Sequence, residues 1–185
     1  MRYASIRELD ISNGEGVGVA LFVQGCRFAC KNCFNPDTSD FNGGKDWTQE
    51  TEDKLIELAS RPYIKRLSIL GGEPLSDENL DGVLHLVDRF RLSFPNKSIW
   101  IYSGYTWEEC QPFSEEGLLK GSDFAPNLQK ILYKRQQIIT LCDVMVDGRY
   151  IDSQRNPSKK WAGSDNQRVI SIAESLKQGK VIMLE

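Results

Sequence analysis

No apolar run in this sequence of 185 residues approaches the ~20 residues that cross a bilayer. The stretch from Met1 to Glu8 likewise has no apolar core of signal-peptide length. Both absences predict a cytoplasmic protein that does not engage a membrane. No low-complexity stretch and no internal repeat divides the chain, so a single domain over residues 1–185 is expected. Positive charge is not in excess. The balance of 23 Lys and Arg against 26 Asp and Glu gives a net charge of −3 and a pI near 5.4, which argues against a surface built to neutralise nucleic-acid phosphates. Histidine is almost missing, His85 being the only one. The cysteine count of five is odd, and three of the five fall within eight positions. That suits metal binding in a reducing compartment better than a disulfide framework. The rest is ordinary: 40% hydrophobic and 26% charged residues supply enough apolar material for a core.

Short apolar runs alternate with helical patterns. Residues 17–23 (Val-Gly-Val-Ala-Leu-Phe-Val) read as a buried strand that stops at Gly25. Thr48 is placed to cap a helix whose first turn is acidic and whose apolar face is Leu55, Ile56, Leu58 and Ala59, with Pro62 at its end. Residues 67–70 form a second strand running into Gly71-Gly72-Glu73-Pro74. Ser76 opens a helix that carries Leu80, Val83, Leu84, Val87, Phe90 and Phe94 on one side and stops before Pro95. Residues 99–102 make a third strand. Short helices are expected between Thr106 and Ile139, where Pro112, Gly117, Gly121 and Pro126 interrupt weak patterns. Residues 144–146 read as a fourth strand ending at Asp147-Gly148, and 181–184 as a last one. This alternation implies an α/β fold with a mainly parallel sheet, whose reactive groups gather at the strands' C-terminal ends. Cys26, Gly72, Ser103 and Asp147 each follow such an end.

The pattern Cys26-x-x-x-Cys30-x-x-Cys33 can bring three thiolates together on one compact loop. Thiolates bind zinc as well as iron–sulfur clusters, and the ligand count separates the two. Structural zinc needs four protein ligands, and His85 projects off the apolar face of its helix into solvent, so it offers no fourth. A [4Fe-4S] cluster on three cysteines leaves one iron open for chemistry. Cys110 and Cys142 stand apart and read as buried free thiols.

The CxxxCxxC loop after the first strand resembles the hallmark of the radical S-adenosylmethionine (SAM) superfamily, which implies a partial, open β/α barrel. In that superfamily SAM's methionine moiety completes the open iron, and reductive cleavage yields a 5′-deoxyadenosyl radical. Gly71-Gly72-Glu73-Pro74 is similar to the superfamily's GGEP loop, which contacts the SAM amino group. Further stretches (residues 10–16, 21–26, 33–35, 99–105, 146–150 and 161–167) resemble the family of anaerobic ribonucleoside-triphosphate reductase-activating proteins. The resemblance implies that Cys26, Cys30 and Cys33 hold the cluster. It places Asn32, Cys33, Phe34, Gly71, Gly72, Glu73, Ser103 and Asp147 beside SAM. It also implies that the protein substrate is the reductase, on which a glycyl radical is installed, and that a low-potential donor such as flavodoxin or ferredoxin supplies the electron. No side chain is needed as acid or base. The sequence departs from the family's pattern in having Ser103 for a threonine, Ala162 for a basic residue, and a longer stretch from Trp107 to Ile139. Arg155, Lys159 and Lys160 read as a solvated loop. The rivals are a radical SAM enzyme acting on a small molecule or on another glycyl-radical enzyme, and a non-catalytic iron–sulfur or zinc module.

Overall fold

The computed structural model describes residues 1–111 and 125–184, so Pro112, Gly117 and Gly121 lie outside the described residues. Among the described residues, seven strands make one open sheet: β1 (Arg2–Asp10), β2 (Gly18–Val23), β3 (Lys45–Asp46), β4 (Arg66–Gly71), β5 (Ser98–Tyr102), β6 (Val144–Asp147) and β7 (Arg168–Ser171). Their spatial order is β3-β1-β2-β4-β5-β6-β7. The central four, β2, β4, β5 and β6, run parallel, while β1, β3 and β7 add antiparallel margins. The protein is thus α/β with a mixed sheet that is parallel at its centre. All six residues of β2 are buried, as expected of a strand covered on both faces.

Helices α1 (Gln49–Ser60), α2 (Leu80–Ser93) and α3 (Ala125–Leu141) bridge successive parallel strands, and α4 (Ile172–Gln178) follows β7. The parallel strands advance in one direction across the sheet, and right-handed crossovers then place the connecting helices on one face. The core shows this division. Val19, Leu21, Leu67, Ile69, Ile99, Ile101 and Met145 pack with Leu55, Val83, Phe90 and Ile138 of the helices. The alternate residues Ala20, Phe22, Leu70, Trp100, Val144 and Val146 form separate clusters on the opposite face. That second face carries no helix residue in its clusters, and it floors the cavity described below.

Local chemistry explains the element ends. Thr48 Oγ1 accepts the Thr51 amide at 3.2 Å and so caps α1, which stops at Ser60, before Pro62. The helix expected from Ser76 begins only at Leu80. Residues 74–79 are instead tight turns, because the Asn79 side chain is spent on the carbonyls of Gln24 and Glu73, both at 3.0 Å. Of the stretch from Thr106 to Ile139, where short helices are expected, residues 112–124 lie outside the described residues, and the described ones form a 3-10 turn at Glu108–Cys110 and the first part of a 17-residue helix, α3. Pro126 is its second residue, where a missing N–H costs nothing. The C-terminal strand reduces to a single bridge, Ile170↔Met183, flanked by two backbone hydrogen bonds. No helix among the described residues is long and apolar enough to cross a membrane.

Candidate functional site

A cavity of about 1370 Å³ opens where β2, β4, β5 and β6 end, and Cys26, Cys30 and Cys33 all line it. The loop that carries them is folded back on itself. Gln24 is 2% exposed and donates to the carbonyls of Asp37 and Asp40, while the amides of Gly25 and Cys26 donate to Thr38 and Ser39. Ala29 and Asn32 take left-handed backbone, at φ 47° and 55°, which turns the chain between the cysteines. Asn32 also donates to Asp152 at 2.8 Å, tying this loop to the segment after β6. The Asn35 amide points at Cys33 Sγ, 3.4 Å away.

All three thiols are free and half-buried. Burial pushes the Cys26 and Cys30 thiols up, and repulsion from neighbouring cysteines adds to it. Among the described residues, no three His, Cys, Asp or Glu side chains converge tightly enough to hold a single ion. Three thiol donors on one wall fit a cluster in which each cysteine takes a different iron. His85 is remote from this wall. It sits on α2 with Nδ1 3.1 Å from Glu52 and a side chain 62% exposed.

The glycine loop is stitched to the cysteine loop through backbone hydrogen bonds, with the Asn79 side chain and an Arg27–Glu78 ion pair beside them. Gly72 N donates to Val23 O at 2.9 Å and Glu73 N to Gly25 O at 2.8 Å. Gly71 needs φ +102°, and a Cβ on Gly72 would lie 2.5 Å from Gly25 O and 2.9 Å from Thr38 O. Both glycines are therefore demanded by geometry.

Glu73 lines the cavity but is only 1% exposed. Its Oε1 accepts from the Leu75 amide and the Ser103 hydroxyl, both at 2.8 Å, and its Oε2 from the Gly104 amide at 2.7 Å. Burial pushes its pKa up to about 7 in spite of these donors and the nearby Arg135 guanidinium. Glu73 and Ser103 together brace the loops after β4 and β5 against each other. Asp147 differs from expectation. It is 1% exposed and does not line the cavity, because its carboxylate is held by Arg168 and by the Trp107 amide at 2.7 Å. Gly148, Arg149 and Tyr150 face the cavity instead. Phe34 is 57% exposed and lies 4.9 Å from the Tyr150 ring, so the two aromatics form one wall.

The segment from Trp161 to Gln167 is packed by its tryptophan, which meets Trp100 edge-on at 4.9 Å. Gln167 pins it by accepting from the Gly163 and Ser164 amides and donating to Gly148 O. Lys159 donates to the carbonyls of Asp165 and Gln167, whereas Arg155 and Lys160 are exposed. All three also line the cavity. Sequence reasoning missed a buried pair near the cavity floor: Arg66, fully buried, donates to Asp10 at 2.7 Å and to Ser68 at 2.9 Å. A buried pair of this kind needs both partners; the only signal was an arginine abutting an apolar strand.

This arrangement defines a class before it defines a family. A family model described as "4Fe-4S single cluster domain" matches residues 12–170, so the class is that of single-cluster iron–sulfur proteins. An anaerobic ribonucleoside-triphosphate reductase-activating protein of Vibrio cholerae is 36% identical, with 90% of this chain and 96% of the relative covered. Proteins of the same name from Escherichia coli K12 and from Enterobacteria phage T4 are each 33% identical. They cover 91% and 95% of this chain and 97% of their own lengths. The chain belongs to the family of anaerobic ribonucleoside-triphosphate reductase-activating proteins.

Proposed function

We propose that this protein is a radical SAM activase whose single domain, residues 1–185, forms a partial β/α barrel, and that its substrate is the anaerobic ribonucleoside-triphosphate reductase. The observation that carries the reading is the joining of the cysteine loop and the Gly71–Glu73 loop by backbone hydrogen bonds on one cavity wall. Cluster and cofactor sites are thereby held at a fixed separation. Cys26, Cys30 and Cys33 would hold a [4Fe-4S] cluster. When bound, cluster and SAM would supply the radical chemistry that hydrogen abstraction from a glycine of the reductase requires.

The chain's own residues bind and orient. The carbonyls of Gly71 and Gly72 offer acceptors to the methionine ammonium, and the Glu73 carboxylate supplies its counter-charge while fixing the loop through Ser103 and Gly104. Asn32 orients the stretch between Cys30 and Cys33 through Asp152. Phe34 and Tyr150 offer the adenosyl group an apolar wall, and Phe22 and Leu70 keep water from the floor. Asp147 acts indirectly, fixing Arg168 and the chain at Trp107 so that Gly148 to Tyr150 face inward. A volume of about 1370 Å³ exceeds the roughly 300–1,000 Å³ of ordinary small-ligand pockets, leaving room for a polypeptide loop beside the cofactor. The electron comes from a low-potential donor such as flavodoxin or ferredoxin, and the protein works in the cytoplasm.

Anaerobic reconstitution with iron and sulfide, then addition of dithionite and SAM, tests this. The wild-type chain should bind about four irons and release 5′-deoxyadenosine, and Cys30→Ser should do neither. Binding of a single zinc, or no cleavage from an intact cluster, would remove the proposal.

A further inference from the structure

We infer that Arg135, on the helix behind the cavity, is a positioning residue for the SAM site. It would act through a column of stacked side chains that joins the strand-end loops. The inference rests on the function proposed above and adds a residue to it. Arg135 is 6% exposed. Its Nε donates to Leu75 O at 2.9 Å and its Nη2 to Asp77 at 3.2 Å, gripping the loop after β4 from the side away from the cavity. Its guanidinium lies 3.8 Å over the Tyr105 ring, in the loop after β5.

Tyr105 in turn meets Phe28 edge-on at 4.7 Å, and Phe28 lies between Cys26 and Cys30. Phe28 is also covered by Arg149 of the loop after β6, with 4.6 Å from the guanidinium to the ring centroid. The column therefore runs Arg135, Tyr105, Phe28, Arg149, a cation at each end and two aromatic rings between. Gly104 packs so closely on Phe28 that a Cβ there would come within 2.4 Å of the ring. The loops after β4 and β5 are thus tied twice, by Glu73 on the cavity side and by Arg135 behind. The Arg135 tie continues through Tyr105 to Phe28 of the cysteine loop, beside the backbone bonds from Gly72 and Glu73. Losing it should let the loop after β5, and Phe28 with it, shift against the Gly71–Glu73 loop. That costs SAM affinity more than it costs the cluster itself, since all three cysteines remain.

The test compares reconstituted wild-type protein with Arg135→Met, Arg135→Lys, Phe28→Leu and Lys134→Met. Lys134 is the neighbour of Arg135 on α3 and pairs with exposed Asp81. Iron and sulfide content, thermal midpoint, the SAM-induced change in the reduced cluster's paramagnetic resonance spectrum, and KM and kcat for SAM cleavage are read together. Arg135→Met should keep its cluster and raise both the SAM concentration for half-change and KM about tenfold, the worth of one charge-assisted hydrogen bond, with kcat changed less. Lysine should restore part of the loss, Phe28→Leu should reproduce it, and Lys134→Met should match wild type. Unchanged SAM affinity in folded, cluster-loaded Arg135→Met overturns the inference. If that variant does not fold, unchanged affinity in Phe28→Leu overturns it equally. A wild-type protein that holds no cluster would instead defeat the functional proposal, so the two failures are distinguishable.

Discussion

Glu73 shows what a residue's name conveys and what it leaves out. Its place after two glycines at a strand end marks it as a cofactor residue, but nothing in the sequence says that three protein donors already meet its carboxylate. Asp147 carries the same lesson further. Its position on the rim was legible, yet its side chain turns to Arg168, a partner 21 residues away, and Tyr150 faces the cavity in its stead. Burial also gives Glu73 a signature in pH. Its folded pKa, about 7, lies above the ordinary carboxyl value of 4.5, so the folded state favours the protonated form. The stability this confers is complete below about pH 4.5 and is lost as pH rises through about 7, a difference of about 3 kcal/mol. Glu73→Gln lacks this dependence. It should be the less stable protein throughout, because an amide N–H then faces the Gly104 donor, with a deficit that narrows between about pH 5 and pH 8. Thermal melts of both proteins across that range check the sign; a deficit that widens with pH contradicts it.

At the scale of elements, the sequence disclosed what is buried on both faces and concealed what is not. β2, β4, β5 and β6 announced themselves as short apolar runs, and Thr48 as a cap. β1 has only one buried residue in nine and β7 two in four, so neither shows the run or clean alternation that marks a strand. Their pairing is fixed by neighbours in the sheet. α3 was obscured by Pro126, which reads as a breaker until it is seen to start the helix. The junction between β4 and α2 was legible through its glycines but not in its purpose, which is to let two backbones touch. Gly72→Ala puts a methyl against the carbonyls of Gly25 and Thr38, which no rotamer change relieves. A loss of about 1–3 kcal/mol and poorer iron retention should follow. Denaturant unfolding and iron analysis measure both, and wild-type values in each would show that the contact is not tight.

Taken whole, the molecule is a sheet with its helices on one face and an open cavity at one end. A fully buried arginine, Arg66, is spent near the cavity floor, and cations stand at the mouth of a chain with net charge −3. The order of alternating elements implied this architecture, because parallel strands must be crossed by helices of one hand. It did not reveal that the four loops after β2, β4, β5 and β6 are bound into one unit by Glu73, the column ending at Arg135, and the backbone bonds beneath the cysteines. Such contacts join residues up to 120 positions apart, as in Asn32 to Asp152, and depend on shape rather than pattern. A rim so fixed is suited to presenting a reactive centre to a segment that enters from another protein. The most direct test mixes the reconstituted protein, reductant and SAM with the reductase of the same organism under anaerobic conditions, and records the paramagnetic resonance spectrum. A glycyl radical doublet that grows with 5′-deoxyadenosine and is absent with Cys30→Ser is predicted. 5′-Deoxyadenosine released by an intact cluster with no radical on the reductase would contradict the account.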